Sequence, residues 1–138
     1  MADPRLPQRI RIRSLTVSSD RILATVQVDP QHPNSTPAMA AALVQAFPDL
    51  PRHACVNPKG DFFGDVIAGT SLPHVLEHLV IDLQTQEHAA IDPDYVFTGV
   101  TRWADKAQGV ATVEVSYRDD LVALRAFRDA AVYLNSLR

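Results

Sequence analysis

The sequence has 138 residues, 46% of them hydrophobic and 21% charged, and its formal net charge is −3. This size fits one domain over residues 1–138, and the acidic balance argues against a nucleic-acid partner. No stretch is apolar over the length of a membrane span, and the first residues lack the apolar core of a signal peptide. The single cysteine, Cys55, cannot form an internal disulfide. We therefore expect a cytoplasmic protein with no membrane partner.

The chain begins with a predicted β-hairpin. Residues 9–13 alternate between Arg and Ile, and the alternation slips at Ser14, which indicates a bulge or the end of the strand. Residues 22–28 alternate again. Four arginines lie in or near the first strand, and we interpret them as a solvated strand face in preference to a phosphate-binding patch: Arg5, Arg9, Arg11 and Arg13.

The centre of the chain is predicted to hold two helices separated by an irregular segment. An Ala-rich helix over 38–47 follows a Pro-rich linker and stops before Pro48. Residues 48–70 contain Pro, Gly and Asn without a clear period, and Phe62 and Phe63 are their expected buried anchors. Thr70 or Ser71 then caps a second helix that runs to about residue 87.

The last third is predicted to add two strands, over 95–103 and 110–117, and a final helix that Asp119 or Asp120 caps. The resulting order is β-β-α-α-β-β-α. Because strands and helices do not alternate, a parallel sheet is not supported. We predict an α+β fold, in which a four-stranded, mainly antiparallel sheet carries about three helices on one face.

The second predicted helix carries the residues that suggest chemistry. At 3.6 residues per turn, His74, Glu77 and His78 gather on the side opposite to the apolar residues Val75, Leu76, Leu79, Val80 and Leu83. Two imidazoles one turn apart can bind one divalent metal ion, zinc being the expected one, with an open position for water. The glutamate lies beside them as a candidate general base, and His-x-x-Glu-His is the inverted zincin motif. The alternative is an exposed helix face that happens to carry these residues.

A third ligand is not identified by spacing alone. The candidates are Asp119, Asp120 and Glu114 near the last helix, and His53 and Cys55 in the irregular segment. Each also has an ordinary structural explanation, such as a helix cap for the aspartates or a buried small hydrophobe for the cysteine.

A wider pattern surrounds the motif. It consists of Pro48-Asp-Leu, His53-Ala-Cys55, Gly60 with Phe62 or Phe63, Gly69-Thr70 before the motif, Leu83-Gln84 after it, Gly99-x-Thr101-Arg102, Gly109, and Tyr117 before an acidic residue and an Ala-rich helix. In this order and spacing, residues 47–138 resemble the N-terminal domain of cyanophycin synthetase. The first 45 residues match only in general layout.

The resemblance implies the role of that domain alone, because the chain lacks room for the two synthetase domains and contains no Walker-type phosphate loop. In some members the domain is a metal-dependent hydrolase that cleaves the arginyl-aspartate polymer, and in others it binds polymer or holds the assembly together. Carried over by position, His74 and His78 become metal ligands and Glu77 the general base. Asp120 stands where the family usually has a glutamate and becomes the third ligand. Arg102 either binds a substrate carboxylate or forms a structural ion pair.

Three functions follow as hypotheses. The first is a metal-dependent peptide hydrolase acting on cyanophycin or a related peptide, which requires an open cleft bordered by carboxylates such as Asp61 or Asp65, with Arg102 or Tyr117 facing the substrate. The second is a non-catalytic polymer-binding or assembly module, with a homo-oligomer possible in either case. The third is a metal-dependent lyase or hydrolase on a small molecule, because S-ribosylhomocysteine lyase combines the same pentapeptide with a cysteine ligand. Cys55 would favour the third if it faced the histidines.

Overall fold

The sheet and the helices follow the predicted order, with one extra hairpin. The computed structural model describes residues 8–137. Along the chain the elements are β1 (Ile10–Val17), β2 (Arg21–Val28), α1 (Pro37–Ala46), β3 (Ala54–Asn57), β4 (Gly60–Phe62), α2 (Leu72–His88), β5 (Gly99–Asp105), β6 (Val110–Ser116) and α3 (Asp120–Ser136).

The main sheet has four strands in the order β1-β2-β6-β5, and all its neighbours are antiparallel. The alternation of β2 and β6 turns one face inward, where Ile22, Ala24 and Val113 are fully buried. The other face is solvated, and Leu23 on it is 37% exposed. The pairing of β1 with β2 shifts between Ile12 and Ser14, which confirms the predicted bulge.

The helices cover the inner face of this sheet. α2 and α3 pack on it and against each other, and α1 joins them through an edge-on contact between Phe47 and Tyr133, whose ring centroids lie 5.1 Å apart. Thr36 caps α1 and Asp119 caps α3 through side-chain bonds to the first free N–H groups. The predicted α+β architecture is confirmed.

The segment predicted to be irregular is more ordered than expected. It contains the β3–β4 hairpin, which lies between two single 3₁₀ turns over Leu50–Arg52 and Phe63–Asp65. Phe63 is fully buried as predicted, whereas Phe62 is 55% exposed, so only one of the two expected anchors enters the core. The strand predicted from residue 95 begins at Gly99.

Arg11 and Arg13 are exposed on β1, as a solvated strand face requires, while Arg5 lies outside the described residues. Over residues 8–137, no helix combines the length and the apolarity that crossing a membrane requires.

Candidate functional site

Helix α2 is covered on both sides, so the alternative of an exposed helix face around its histidines is wrong. Ser71 caps it by accepting from the His74 N–H, and Pro73 occupies its first turn. Val75 and Leu79 face the core as predicted. On the opposite side, however, Glu77 is only 5% exposed and His78 only 3%. These side chains therefore lie under other elements of the fold instead of facing solvent.

The β3–β4 hairpin and the turn that follows it provide this cover. The Phe63 ring stacks on the His78 ring at a centroid distance of 4.1 Å and meets the His74 ring edge-on at 5.1 Å. Because Phe63 itself is fully buried, both imidazoles are held between a rigid ring and the helix.

Three side chains converge beneath the hairpin: Cys55 of β3, and His74 and His78 of α2. One ligand atom from each lies within 4.8 Å of the other two, which makes them a group able to hold a metal ion. The Cys55 Sγ and His74 Nε2 atoms are 3.5 Å apart. A tetrahedral zinc ion with Zn–S and Zn–N bonds of about 2.3 and 2.1 Å separates such atoms by about 3.5 Å as well. The residues present therefore fit a zinc ion with a fourth position open.

The partners of the two imidazoles leave their Nε2 atoms available to a metal. His74 Nδ1 lies 2.8 Å from the hydroxyl of Thr70, and His78 Nδ1 lies 3.1 Å from Nδ1 of His53. Both Nε2 atoms face the pocket side, since His74 Nε2 approaches Cys55 and His78 Nε2 lies 3.6 Å from Glu77 Oε2.

Burial favours the neutral form of both imidazoles. Desolvation lowers the pKa of His74, and desolvation together with the neighbouring His74 and His53 lowers the pKa of His78 to about 3. A neutral imidazole is the form that binds a metal. Desolvation also raises the pKa of Cys55, so its thiolate needs a cation to stabilise it.

Glu77 is the carboxylate next to the convergent ligands. Its Oε1 accepts a hydrogen bond of 2.8 Å from the Thr101 hydroxyl, and its Oε2 is left on the side of His78. Desolvation raises the pKa of Glu77, and the Thr101 bond and the nearby His53 partly offset that rise. Gly99 lets the side chain pass, because a Cβ there would lie 2.8 Å from the Glu77 Cγ. A desolvated carboxylate with one free oxygen suits a general base.

These groups lie at an open pocket of about 400 Å³ between the hairpin and the edge strand β5. Its lining is Ala54, Cys55, Val56, Ser71, His74, Glu77, His78 and Gly99 to Trp103. The site is concave, as a catalyst requires. Asp61 and Asp65 are absent from the lining, and Asp65 instead accepts from the Phe62 N–H. The expected carboxylate border is therefore wrong for those two residues.

The acidic candidates near the last helix are not brought to the histidines. Asp120 is exposed in the first turn of α3 and is not part of the convergent group, and Asp119 is occupied in capping that helix. Glu114 pairs with Leu23 and Val100 across the sheet, on its solvated face. Cys55, and not Asp120, lies with the two histidines, because the hairpin covers that side of α2 whereas the start of α3 lies away from it.

Arg102 borders the pocket but is directed away from Glu77. Its partner in the sheet is Thr112, so strand alternation places it on the face opposite to Thr101. Arg102 forms no ion pair with another residue of the range 8–137, so the structural alternative finds no support there. Tyr117 donates its hydroxyl to the Ser18 carbonyl and is not in the lining.

Two contributions escaped the sequence analysis. In the sequence, Thr101 stands out only as part of the pattern Gly99-x-Thr101-Arg102, whereas in the structure its hydroxyl donates to the buried carboxylate of Glu77. His53 was considered as a ligand, whereas the structure places it behind His78. The pattern His53-Ala-Cys55 was the available signal, since alternate residues of an extended segment share one side.

One protein-family model matches most of the chain. The model described as cyanophycin synthase-like N-terminal domain matches residues 22–138. The chain belongs to this family. The match begins at Ile22 in β2, so membership of the cyanophycin synthase-like N-terminal domains extends over more of the fold than the resemblance over 47–138. No curated protein sequence shows a significant match to the chain.

Proposed function

We propose that this cyanophycin synthase-like domain is a metal-dependent hydrolase of amide bonds in the arginyl-aspartate polymer or a related peptide. Its metal ligands are Cys55, His74 and His78, and its general base is Glu77. The observation that carries the proposal is the convergence of three ligand atoms beside the free oxygen of a buried glutamate, at the floor of an open pocket.

Each residue has a distinct part in the reaction. A zinc ion bound there supplies an acidified water and polarises the substrate carbonyl. Glu77 accepts the proton of the attacking water at Oε2 and delivers it to the leaving amine, while the Thr101 hydroxyl holds Oε1 and so fixes the direction of the carboxylate. Phe63 and the hairpin keep bulk water from the rear of the imidazoles.

The strand β5 offers a binding edge for an extended substrate. The Ser116 N–H donates to the Thr98 carbonyl, so Thr98 and then every second residue bond to β6. Gly99, Thr101 and Trp103 consequently direct their backbone groups away from β6, along the pocket that they line. A peptide can pair there as an added strand, with its carbonyl group near the histidines.

The charge around the pocket favours an arginine side chain of the substrate at one end of this groove. Glu77 is the carboxylate of the pocket itself. A second depression of about 520 Å³ shares Ala54 and His78 with it and is lined by the exposed Asp49. Carboxylates attract guanidinium groups, so an arginine beside the cleaved bond fits that end of the groove.

The decisive experiment combines metal content with cleavage. Tag-free protein is analysed for bound metal and then incubated, with and without added zinc, with arginyl-aspartate polymer. We expect about one metal ion per chain and release of dipeptide or shorter polymer, with Glu77→Gln as the matched inactive control. Polymer binding without cleavage in the zinc-loaded protein would contradict the hydrolase and favour a binding or assembly module.

Cys55 supports a second candidate. A cysteine ligand beside two motif histidines is the arrangement expected for a metal-dependent lyase or hydrolase that acts on a small molecule. This candidate predicts a metal-loaded protein that is inert toward the polymer and that binds a small carbonyl compound at the open metal position. The exposed groove along β5 is larger than a small substrate requires, and we therefore prefer the peptide hydrolase.

A further inference from the structure

We propose that His53 and Asp82 act as a positioning pair, which fixes His78 in the tautomer whose Nε2 is bare and directed at the metal. This inference rests on the proposed metal site and adds two residues to it. Neither of them is a ligand in the convergent group of Cys55, His74 and His78.

The three side chains form a continuous chain of hydrogen bonds. Asp82 Oδ1 lies 3.1 Å from His53 Nε2, and His53 Nδ1 lies 3.1 Å from His78 Nδ1. Both links are largely shielded from water, because the side chains of His53 and Asp82 are 15% and 5% exposed and that of His78 is 4% exposed. Water therefore competes weakly for these bonds.

The order of donors along this chain is determined by its acidic end. A carboxylate only accepts, so His53 must place its proton on Nε2 and donate it to Asp82. Neutral His53 then has a bare Nδ1, which can only accept. His78 must carry its own proton on Nδ1 to complete the bond, and its Nε2 is left without a proton.

The surrounding backbone and side chains hold the pair in place. Asp82 lies one helical turn after His78 on α2, and its second oxygen, Oδ2, accepts a bond of 2.6 Å from Gln86 Nε2 one turn further on. His53 is fixed by its main chain, whose N–H donates to Leu50 and whose carbonyl accepts from the Phe63 N–H. The carboxylate is thus anchored to the helix, and the imidazole to the hairpin side.

This arrangement explains why His53 is not itself a ligand. The ring approaches His78 from the Nδ1 side, opposite to the nitrogen that faces Glu77. A metal-ligating histidine commonly donates its second N–H to a carboxylate or carbonyl, and removing such a partner typically lowers metal affinity about 10- to 100-fold. Here an imidazole stands between the ligand and the carboxylate.

The first test reads the tautomers directly in the metal-free full chain. Long-range proton–nitrogen NMR on ¹⁵N-histidine-labelled protein distinguishes Nδ1–H from Nε2–H rings. We expect His78 as Nδ1–H and His53 as Nε2–H in the wild type, and a mixture at His78 in His53→Leu. An Nε2–H ring at His78 in the wild type would overturn the inference.

The second test measures zinc affinity by competition with a chromophoric chelator. His53→Leu should lose about 10- to 100-fold, whereas His53→Asn, whose side-chain oxygen can replace the accepting Nδ1, should retain most of the affinity. His88→Leu is the matched control, because it removes a histidine of the same helix that is 6% exposed and stacked on Phe97. We expect it to bind zinc as the wild type does.

The outcomes separate the two proposals. A wild-type protein that binds no zinc overturns the proposed function. Wild-type affinity in both His53 variants, in a chain that does bind zinc, overturns only the positioning role. Equal losses in His53→Leu and His53→Asn would also overturn it, because a purely structural effect does not depend on an acceptor at that point.

Discussion

Replacing Thr101 by valine tests how the protein holds its buried glutamate. The change keeps the branched shape but removes the hydroxyl that donates to Glu77 Oε1 at 2.8 Å. A hydrogen bond to a charged group contributes about 1.5–3 kcal/mol, and one between neutral groups about 1 kcal/mol. The cost of the substitution should therefore depend on whether Glu77 is ionised.

The direction of the pH dependence follows from the raised pKa of Glu77. A group whose pKa is higher in the folded protein than in the unfolded chain stabilises the fold fully at pH values below its pKa in the unfolded chain. This contribution is lost as the pH rises through its pKa in the folded protein. The Thr101 bond offsets part of that loss by stabilising the carboxylate. Without the bond, the deficit in the free energy of unfolding should be about 1.5–3 kcal/mol near pH 8 and about 1 kcal/mol near pH 4.

Urea unfolding of the metal-free protein at the two pH values measures this difference. Thr101→Ser is the matched control, because it keeps the hydroxyl and loses only a methyl group. An equal deficit for the valine and serine variants, or a valine deficit that does not change with pH, would show that the bond to Glu77 is unimportant.

Five further results are expected. Glu77→Gln should keep the metal and abolish cleavage, whereas His78→Ala should lose both, as elemental analysis and a polymer assay will show. In the metal-free protein, His78→Ala should also lower the free energy of unfolding in urea by more than about 1 kcal/mol, because the ring is 3% exposed and stacked on Phe63. A smaller decrease would indicate that this side of the helix is exposed. Cys55→Ser should weaken zinc binding by more than the roughly tenfold that the loss of an outer partner costs, because it replaces a ligand itself. Unchanged affinity in a chelator titration would show that the thiolate is not a ligand. Gly99→Ala should cost about 1–3 kcal/mol by overpacking and lower activity, since its Cβ would meet both the Glu77 side chain and the Glu114 carbonyl. As the pH falls from about 6.5 toward 3, the metal-free protein should lose stability, because His78 has a depressed pKa of about 3 and binds a proton only after unfolding. A free energy of unfolding in urea that stays constant over this pH range would argue against the burial of His78.

The sheet and the long helices were predictable because each has a period that reports burial directly. Ile22 and Ala24 alternate with solvated residues, and Val75 and Leu79 recur at helical spacing. The slip at Ser14 also appeared in the sequence as a change of parity, and the pairing shift lies there.

The burial of the histidine side of α2 was not predictable from the helix itself. A helical period separates apolar from polar positions, but it does not say whether a second element covers the polar side. That cover comes from strands of four and three residues and from Phe63, which are too short to show a period. Cys55 and Asp120 were both possible third ligands for the same reason, since the choice between them depends on which segment folds back onto α2.

The hairpin has a consequence for the way the domain would respond to a metal bound at this site. Two of the three candidate ligands are fixed to α2 by helical spacing, whereas Cys55 belongs to the hairpin and lies 19 residues before His74. Coordination by all three would close this loop and stabilise the folded hairpin, because the ligands converge only in the folded chain. Loading with zinc should therefore protect the amide groups of β3 and β4 from hydrogen exchange more than those of the main sheet, so that the wall of the groove becomes rigid when the site becomes competent.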